Sequence, residues 1–262
     1  MSSPNEQSRQ PPPGSDKLPI RFECQNVKKF YQKKLPGRKK EQIPALDGLN
    51  ISLYDHKINA LVGHSGSGKS TLAKILMKLE SFDSGDISYK KEKLDSIEIN
   101  SFRQKNQILF QNPFLAVNPA FSIYKIIADP LKVARKSRQE IKNIINQVME
   151  LINIPHSFLK RYPSELSGGE LQRIALARSL VLEPEFVILD EPFSSLDEIM
   201  ASRLMDEFRF VFKKLNIGIL YISHHLKRVS TLADFVAVIK KGKIIEQGPV
   251  DQINLLYSKF II

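Results

Sequence analysis

Ile58-Asn59-Ala60-Leu61-Val62-Gly63-His64-Ser65-Gly66-Ser67-Gly68-Lys69-Ser70-Thr71 decides the fold. Its second part, Gly63 to Thr71, fits G-x-x-x-x-G-K-[ST] without a departure. Its first part is short and mostly apolar, as a strand buried in a parallel sheet should be. Beyond it, Leu72, Ile75, Leu76 and Leu79 recur at helical spacing and predict a helix over Thr71–Leu79. A glycine-rich loop between a strand and a helix is the setting that separates a phosphate cradle from an ordinary glycine-rich turn. The glycines let the backbone curl close to an anion, and successive N–H groups then point at it. The helix N-terminus adds partial positive charge. Gly63, His64, Ser65, Gly66, Ser67, Gly68, Lys69, Ser70 and Thr71 are therefore candidate nucleotide-binding residues. Lys69 brings a point charge to the outer phosphates, and the Ser70 hydroxyl can ligate magnesium.

A second apolar run, Phe186-Val187-Ile188-Leu189, ends in Asp190-Glu191. Open α/β sheets place their ligands at the carboxyl ends of strands. Two adjacent carboxylates there can divide the work, Asp190 holding the metal and Glu191 orienting or polarising the attacking water. Alone, such a pair reads as two solvated acids at a strand end; after a complete phosphate loop it reads as chemistry. Between the loop and this strand lies Leu166-Ser167-Gly168-Gly169-Glu170-Leu171-Gln172-Arg173. A helix predicted over Leu171–Leu182 starts just after its glycines, so N–H groups would face an incoming phosphate.

With these motifs in this order, the chain resembles the nucleotide-binding subunit of an ATP-binding cassette (ABC) transporter from about Phe22 to Gly248. The resemblance implies an α/β fold: a P-loop ATPase core with an N-terminal antiparallel β layer and an inserted helical subdomain. It implies ATP and Mg2+ as ligands. Tyr31 occupies the place of the aromatic that stacks on adenine, with Phe30 as a substitute. Gln111, in Leu109-Phe110-Gln111-Asn112-Pro113, matches the glutamine that senses magnesium and the membrane partner. Ser167, Gly168 and Gly169 match the signature loop that reaches the ATP held by the opposite subunit. Asp190 and Glu191 match the magnesium and catalytic carboxylates, and Ser195-Leu196-Asp197 the loop that communicates across the dimer. His224 matches the switch histidine on the γ-phosphate. Two positions depart from the pattern. Glu170 stands where the signature usually ends in glutamine. His225 stands where aspartate usually follows the switch histidine, leaving a choice of two; His224 is preferred because it follows Ser223 at the end of the strand Ile219-Leu220-Tyr221-Ile222.

The rest of the chain fills in this plan. Ile20–Leu53 reads as strands around a Lys-, Gly- and Pro-rich loop, Gln32–Gln42, presenting Tyr31 to the base. Helical periodicity over Ile123–Leu131 and Ser137–Ile152 marks the inserted lobe, about 112–170. The end reads as a hairpin, Phe235–Ile239 and Lys243–Gln247 around Lys241-Gly242. Residues 1–19 are expected to be a disordered leader, polar and proline-rich over Met1–Asp16, and residues 20–262 a single ATPase domain.

Of 262 residues, 42% are hydrophobic, enough for a substantial core. The single cysteine, Cys24, allows no intrachain disulfide. No apolar run approaches the roughly 18–20 residues of a membrane span. The net charge of +11 is spread in small lysine groups that are not interleaved with aromatics. It reads as solvated faces, with attraction to an anionic leaflet as its natural use, and not as nucleic-acid recognition.

The resemblance narrows further to the peptide and nickel importer branch, on Gln111-Asn112-Pro113, Ala116-Val117-Asn118-Pro119 and Asp129-Pro130-Leu131. Leu79-Glu80-Ser81 before Ser84-Gly85, and Leu171-Gln172-Arg173, look closest to nickel-importer ATPases. The implied function is ATP hydrolysis that energises uptake of peptides or nickel. The implied partners are a second, non-identical cassette, two membrane permease subunits and an external solute-binding protein, without nucleic acid. The implied place is the cytoplasmic face of the cell membrane, as a peripheral subunit. An ABC exporter or lipoprotein-release ATPase shares the same motifs, and only the Asn118-Pro119 region speaks against it. A soluble ABC protein acting on DNA or ribosomes would need a long coiled-coil insertion or a second cassette, and the chain has neither.

Overall fold

The computed structural model describes residues 18–33, 41–112 and 117–253. The leader expected over residues 1–19 lies outside them up to residue 17, as do residues 34–40 of the expected loop and Pro113 and Ala116 of the branch motif. In chain order the elements are β1 (Ile20–Lys33), β2 (Glu41–Tyr54), β3 (Ile58–Val62), α1 (Lys69–Leu76), β4 (Ser84–Tyr89), β5 (Glu92–Lys93), α2 (Ile99–Lys105), β6 (Asn106–Leu109), α3 (Ile123–Val133) and α4 (Arg138–Leu151). There follow α5 (Gly168–Leu180), β7 (Phe186–Asp190), α6 (Glu198–Lys214), β8 (Gly218–Ser223), α7 (Leu226–Leu232), β9 (Phe235–Lys240), β10 (Lys243–Pro249) and α8 (Val250–Ile253). The chain divides into two compact units, residues 1–99 with 218–262, and residues 100–217.

The first unit holds an antiparallel layer and a mostly parallel one. β1 pairs with β2 on one side and β4 on the other, and β4 continues to β5. This is the antiparallel N-terminal layer expected from the sequence. Arg21, on β1, is buried and staples it: its guanidinium pairs with Asp55 at 2.5 Å and donates to the Tyr89 hydroxyl at 2.9 Å. A buried charge needs such a partner to offset desolvation. In the second layer β3 lies parallel between β8 and β9, and β10 closes the edge as a hairpin with β9. β3 and β8 are buried along their whole length. That explains their unbroken apolar reading, since strands covered on both faces have no solvent side to alternate with. Helix α1 stops at Leu76, three residues before its apolar spacing does. Lys78 takes the left-handed conformation (φ 52°), which ends the helix, and Leu79 is left 48% exposed.

In the second unit β6 and β7 pair in parallel beside a helical group, α3 to α6. Ile123, Ile126, Ile127 and Leu131 of α3, Ile141, Ile145, Val148 and Met149 of α4 and Leu171, Ile174 and Leu176 of α5 are buried. Each fully buried aliphatic side chain contributes about 1.5–3 kcal/mol before entropy is set against it. α4 begins with a capping box, Ser137 with Glu140, so the sequence start of that helix is the physical one. Asp129 of α3 faces Arg178 of α5. Burial lowers the Arg178 pKa and the Asp129 charge opposes the shift.

Candidate nucleotide site

The phosphate loop leaves the carboxyl end of β3 and enters α1. Gly63 is required by crowding, because a Cβ there would overlap the Ile239 carbonyl and Ile239 side chain of β9. Gly68 is required by both crowding and conformation: it caps α1 with φ 108°, and a Cβ would overlap the Ala45 carbonyl. Lys69, the first residue of α1, is buried and reaches back over the loop, donating to the carbonyls of Gly63 at 2.9 Å and His64 at 3.0 Å. The loop fits a polyphosphate on its own terms. The Ser67 hydroxyl is buried with no hydrogen-bond partner, an unmet capacity within the loop. Ser70 and Thr71 lie in the first turn of α1.

Two further residues come to this loop within the same unit. β3 and β8 are in register as Val62 with Ser223, so Gly63 and His224 emerge side by side from neighbouring strands. His224 is exposed and packs against His225, ring centroids 4.1 Å apart and planes tilted by 38°. The backbone N–H of His225 donates to the Ser223 hydroxyl at 3.0 Å, and His225 occupies the N-cap of α7 without a side-chain capping bond. Tyr31, near the end of β1, places its hydroxyl 3.5 Å from Thr71 Oγ1. Phe30 is only half-exposed, and its N–H is held by Asp83 at 2.6 Å. Tyr31, 41% exposed, is thus the more available ring.

In the second unit β6 and β7 run together as Leu109 with Leu189, so Gln111 follows one strand and Asp190-Glu191 ends the other at the same edge. Asp190 is buried; Glu191 is half-buried in the left-handed region (φ 48°). A non-glycine residue pays for that conformation, and such positions gather at functional turns. Ser194 N–H closes the turn on the Glu191 carbonyl at 3.2 Å.

The signature starts α5 itself. Gly168 and Gly169 are the first two residues of the helix and Ser167 its N-cap, so the helix begins on the glycines and not after them. A capping box forms: the Ser167 backbone N–H donates to the Glu170 carboxylate at 2.7 Å, and the Ser167 side chain accepts from Glu170 N–H. Glu170 thus has a structural task at the position where the resemblance led us to expect glutamine. Burial room is tight behind the loop: a Cβ on Gly168 would come 3.1 Å from Leu196, and one on Gly169 would touch Met200. Gln172, one turn on, carries no site role in the sequence reading. It is buried in α5 and its amide donates to the Pro192 carbonyl, directly after Glu191. The signal that could have found it is a polar residue on an otherwise apolar helix face.

Among the described residues no three His, Cys, Asp or Glu side chains gather as a metal cluster. Magnesium that is held by one or two protein oxygens and substrate phosphates asks for none. Among the described residues no helix is long and apolar enough to cross a membrane.

Residues 46–194 match the family model described as ABC transporter. The oligopeptide transport ATP-binding protein OppF of Lactococcus lactis is 33% identical over 234 residues, 86% of this chain and 73% of that one. The dipeptide transport ATP-binding protein DppF of Haemophilus influenzae is 38% identical over 232 residues, 87% of this chain and 71% of that one. Among solved structures, cbiO1 of Clostridium perfringens, part of the ABC transporter complex cbiONQ, superposes with a TM-score of 0.77 at 25% identity, covering 92% of each chain. The chain belongs to the ABC transporter family, as an ATP-binding subunit that couples ATP hydrolysis to transport.

Proposed function

We propose that this chain powers peptide import, working as one of two non-identical cassettes beneath two permease subunits at the cytoplasmic face of the cell membrane, with an external binding protein delivering the solute. The observation that carries the reading is the match, over most of both chains, to ATP-binding proteins of oligopeptide and dipeptide transport. Their names favour peptides over nickel as the cargo.

The proposed roles follow from the residues. Tyr31 stacks on the base. Gly63 to Thr71 wrap the phosphates, with Lys69 supplying charge. Ser70, Gln111 and Asp190 are the oxygens that would hold Mg2+, which when bound neutralises phosphate charge. Glu191 orients and polarises the water, and His224 contacts the γ-phosphate. Ser167, Gly168 and Gly169 meet the ATP held by the other cassette. ATP then binds the closed pair better than the open one, and hydrolysis removes that preference, which is a population shift. Residues 20–262 act as one cassette with the helical lobe, about 112–170, inserted.

The test is to purify the complex through a tag on this chain, identify the co-purifying membrane proteins and second cassette, and reconstitute it with its binding protein. ATP-dependent uptake of labelled di- to pentapeptides is expected. Uptake of 63Ni2+ and none of peptide would move the reading to metal, and co-purification with a permease that exports lipoprotein would end it.

A further inference from the structure

We propose that Lys29 and Glu80 are positioning residues for Tyr31, fixing its ring so that one face is offered to the nucleotide base. The proposal rests on the reading of Tyr31 as the base-stacking residue. Lys29 and Tyr31 are two apart on β1 and so project from the same face of the strand. The Lys29 ammonium lies 5.6 Å from the centroid of the Tyr31 ring, within cation–π reach. The same ammonium is 3.4 Å from Glu80 Oε1, and both side chains are largely shielded, 11% and 20% exposed. Glu80, in the segment that follows α1, lies close enough to the Tyr31 phenol to raise its pKa. The phenol also reaches Thr71 in the first turn of α1 at 3.5 Å. A ring 41% exposed at a strand end is therefore flanked by a cation, itself anchored by a carboxylate, and by a hydroxyl. The backbone of the neighbouring residue is pinned as well, Phe30 N–H to Asp83 at 2.6 Å. Burial first, and then the nearby Glu80 carboxylate, raise the Tyr31 pKa.

The physical consequence is preorganisation. A free tyrosine loses rotamer freedom when a base stacks on it; a ring already held loses less, so affinity for the base rises without any new contact to the phosphates. Lys29 and Glu80 act through Tyr31 and touch no ligand.

The experiment is calorimetric titration of the full chain with ATP and with tripolyphosphate, which has no base, both with Mg2+. Glu80→Met and Lys29→Met should each weaken ATP about three- to tenfold, the size of one lost net hydrogen bond. Tripolyphosphate affinity should stay unchanged. Glu80→Gln, which keeps a polar oxygen beside Lys29 and the phenol, should recover part of the loss. Tyr31→Leu should weaken ATP at least as much, and Glu80→Met added to it should change nothing further. Unchanged ATP affinity in both methionine variants, with Tyr31→Leu still weak, overturns the proposal alone. Equal losses for ATP and tripolyphosphate also overturn it, because they put the effect on the phosphate loop. Unchanged ATP affinity in Tyr31→Leu overturns the base-stacking reading itself and the proposal with it.

Discussion

The hydroxyl of Ser167 donates to the Glu170 carboxylate at 2.7 Å, and the Glu170 backbone N–H returns to the Ser167 oxygen at 3.4 Å. The serine proposed to meet another subunit's phosphate is thus held by its own helix. A carboxylate sits at the positive end of α5, which favours the helix start.

This pair makes a pH prediction. A glutamate carboxyl ordinarily titrates near 4.5; here the Ser167 hydroxyl, and then the Ser167 backbone N–H, hold Glu170 below that. A carboxyl with a depressed folded pKa contributes stability that is present above its unfolded value and lost as pH falls through its folded one. Thermal melts between about pH 5 and pH 3 should therefore show wild type losing more Tm than Glu170→Gln. The pair is exposed, so the difference is small and shrinks with added salt. Parallel slopes for the two proteins would rule the contribution out.

The glycines of the phosphate loop should rank by their surroundings. A Cβ at Gly63 overlaps the Ile239 backbone carbonyl, whereas none of the atoms around Gly66 lies within 4 Å of one, leaving only its φ of 76° to pay for. Gly63→Ala should cost about 1–3 kcal/mol through overpacking and lose ATP binding. Gly66→Ala should cost about 1–2 kcal/mol from left-handed strain alone. Chemical denaturation checks the order; a larger loss at Gly66 would contradict the packing.

How much of this was readable beforehand depended on distance along the chain. The phosphate loop was legible because its residues recur at a fixed local spacing between a strand and a helix, although the crowding that demands glycine at Gly63 comes from Ile239, far along the chain. The apolar runs Ile58–Val62 and Phe186–Leu189 announced buried parallel strands because both of their faces are covered. The β4 strand was not announced: Phe22 pairs with Tyr89 across the intervening nucleotide loop, and no local pattern encodes that. Nor does anything in the sequence show that Arg21 is buried, since its partner Asp55 is supplied by the fold. The left-handed turns at Lys78 and Glu191 were equally hidden, because lysine and glutamate carry no preference for them. Tertiary context imposes those conformations.

Glu191→Gln tests charge with shape held constant. Glutamine suffers the same backbone strain at φ 48°, so the turn should survive. A neutral amide polarises water poorly, and ATP turnover in the assembled complex should fall by roughly a hundredfold or more while ATP binding persists. Near-normal steady-state turnover in that complex would remove Glu191 from the role proposed for it.

The proposed trans role of the signature can be separated from its capping role by comparing Ser167→Ala with Ser167→Arg. Both remove the side-chain oxygen that caps α5, so each should cost the helix about 1 kcal/mol and lower Tm alike. Both leave Lys69 and Ser70 untouched, so the isolated chain should bind ATP as wild type does. Only arginine fills the space in front of Gly168, and it cannot retreat behind the loop, where Leu196 leaves little room even for a Cβ on that glycine. Any difference between the two variants therefore reports on what must approach that space from outside. In the assembled complex, crosslinking across the cassette interface should show ATP-driven closure weakened by Ser167→Ala and abolished by Ser167→Arg, with hydrolysis following closure. If the signature were only a local turn, the two variants would behave alike, differing from wild type in stability and in nothing else. Normal closure and hydrolysis in Ser167→Arg would refute an active site shared by two subunits.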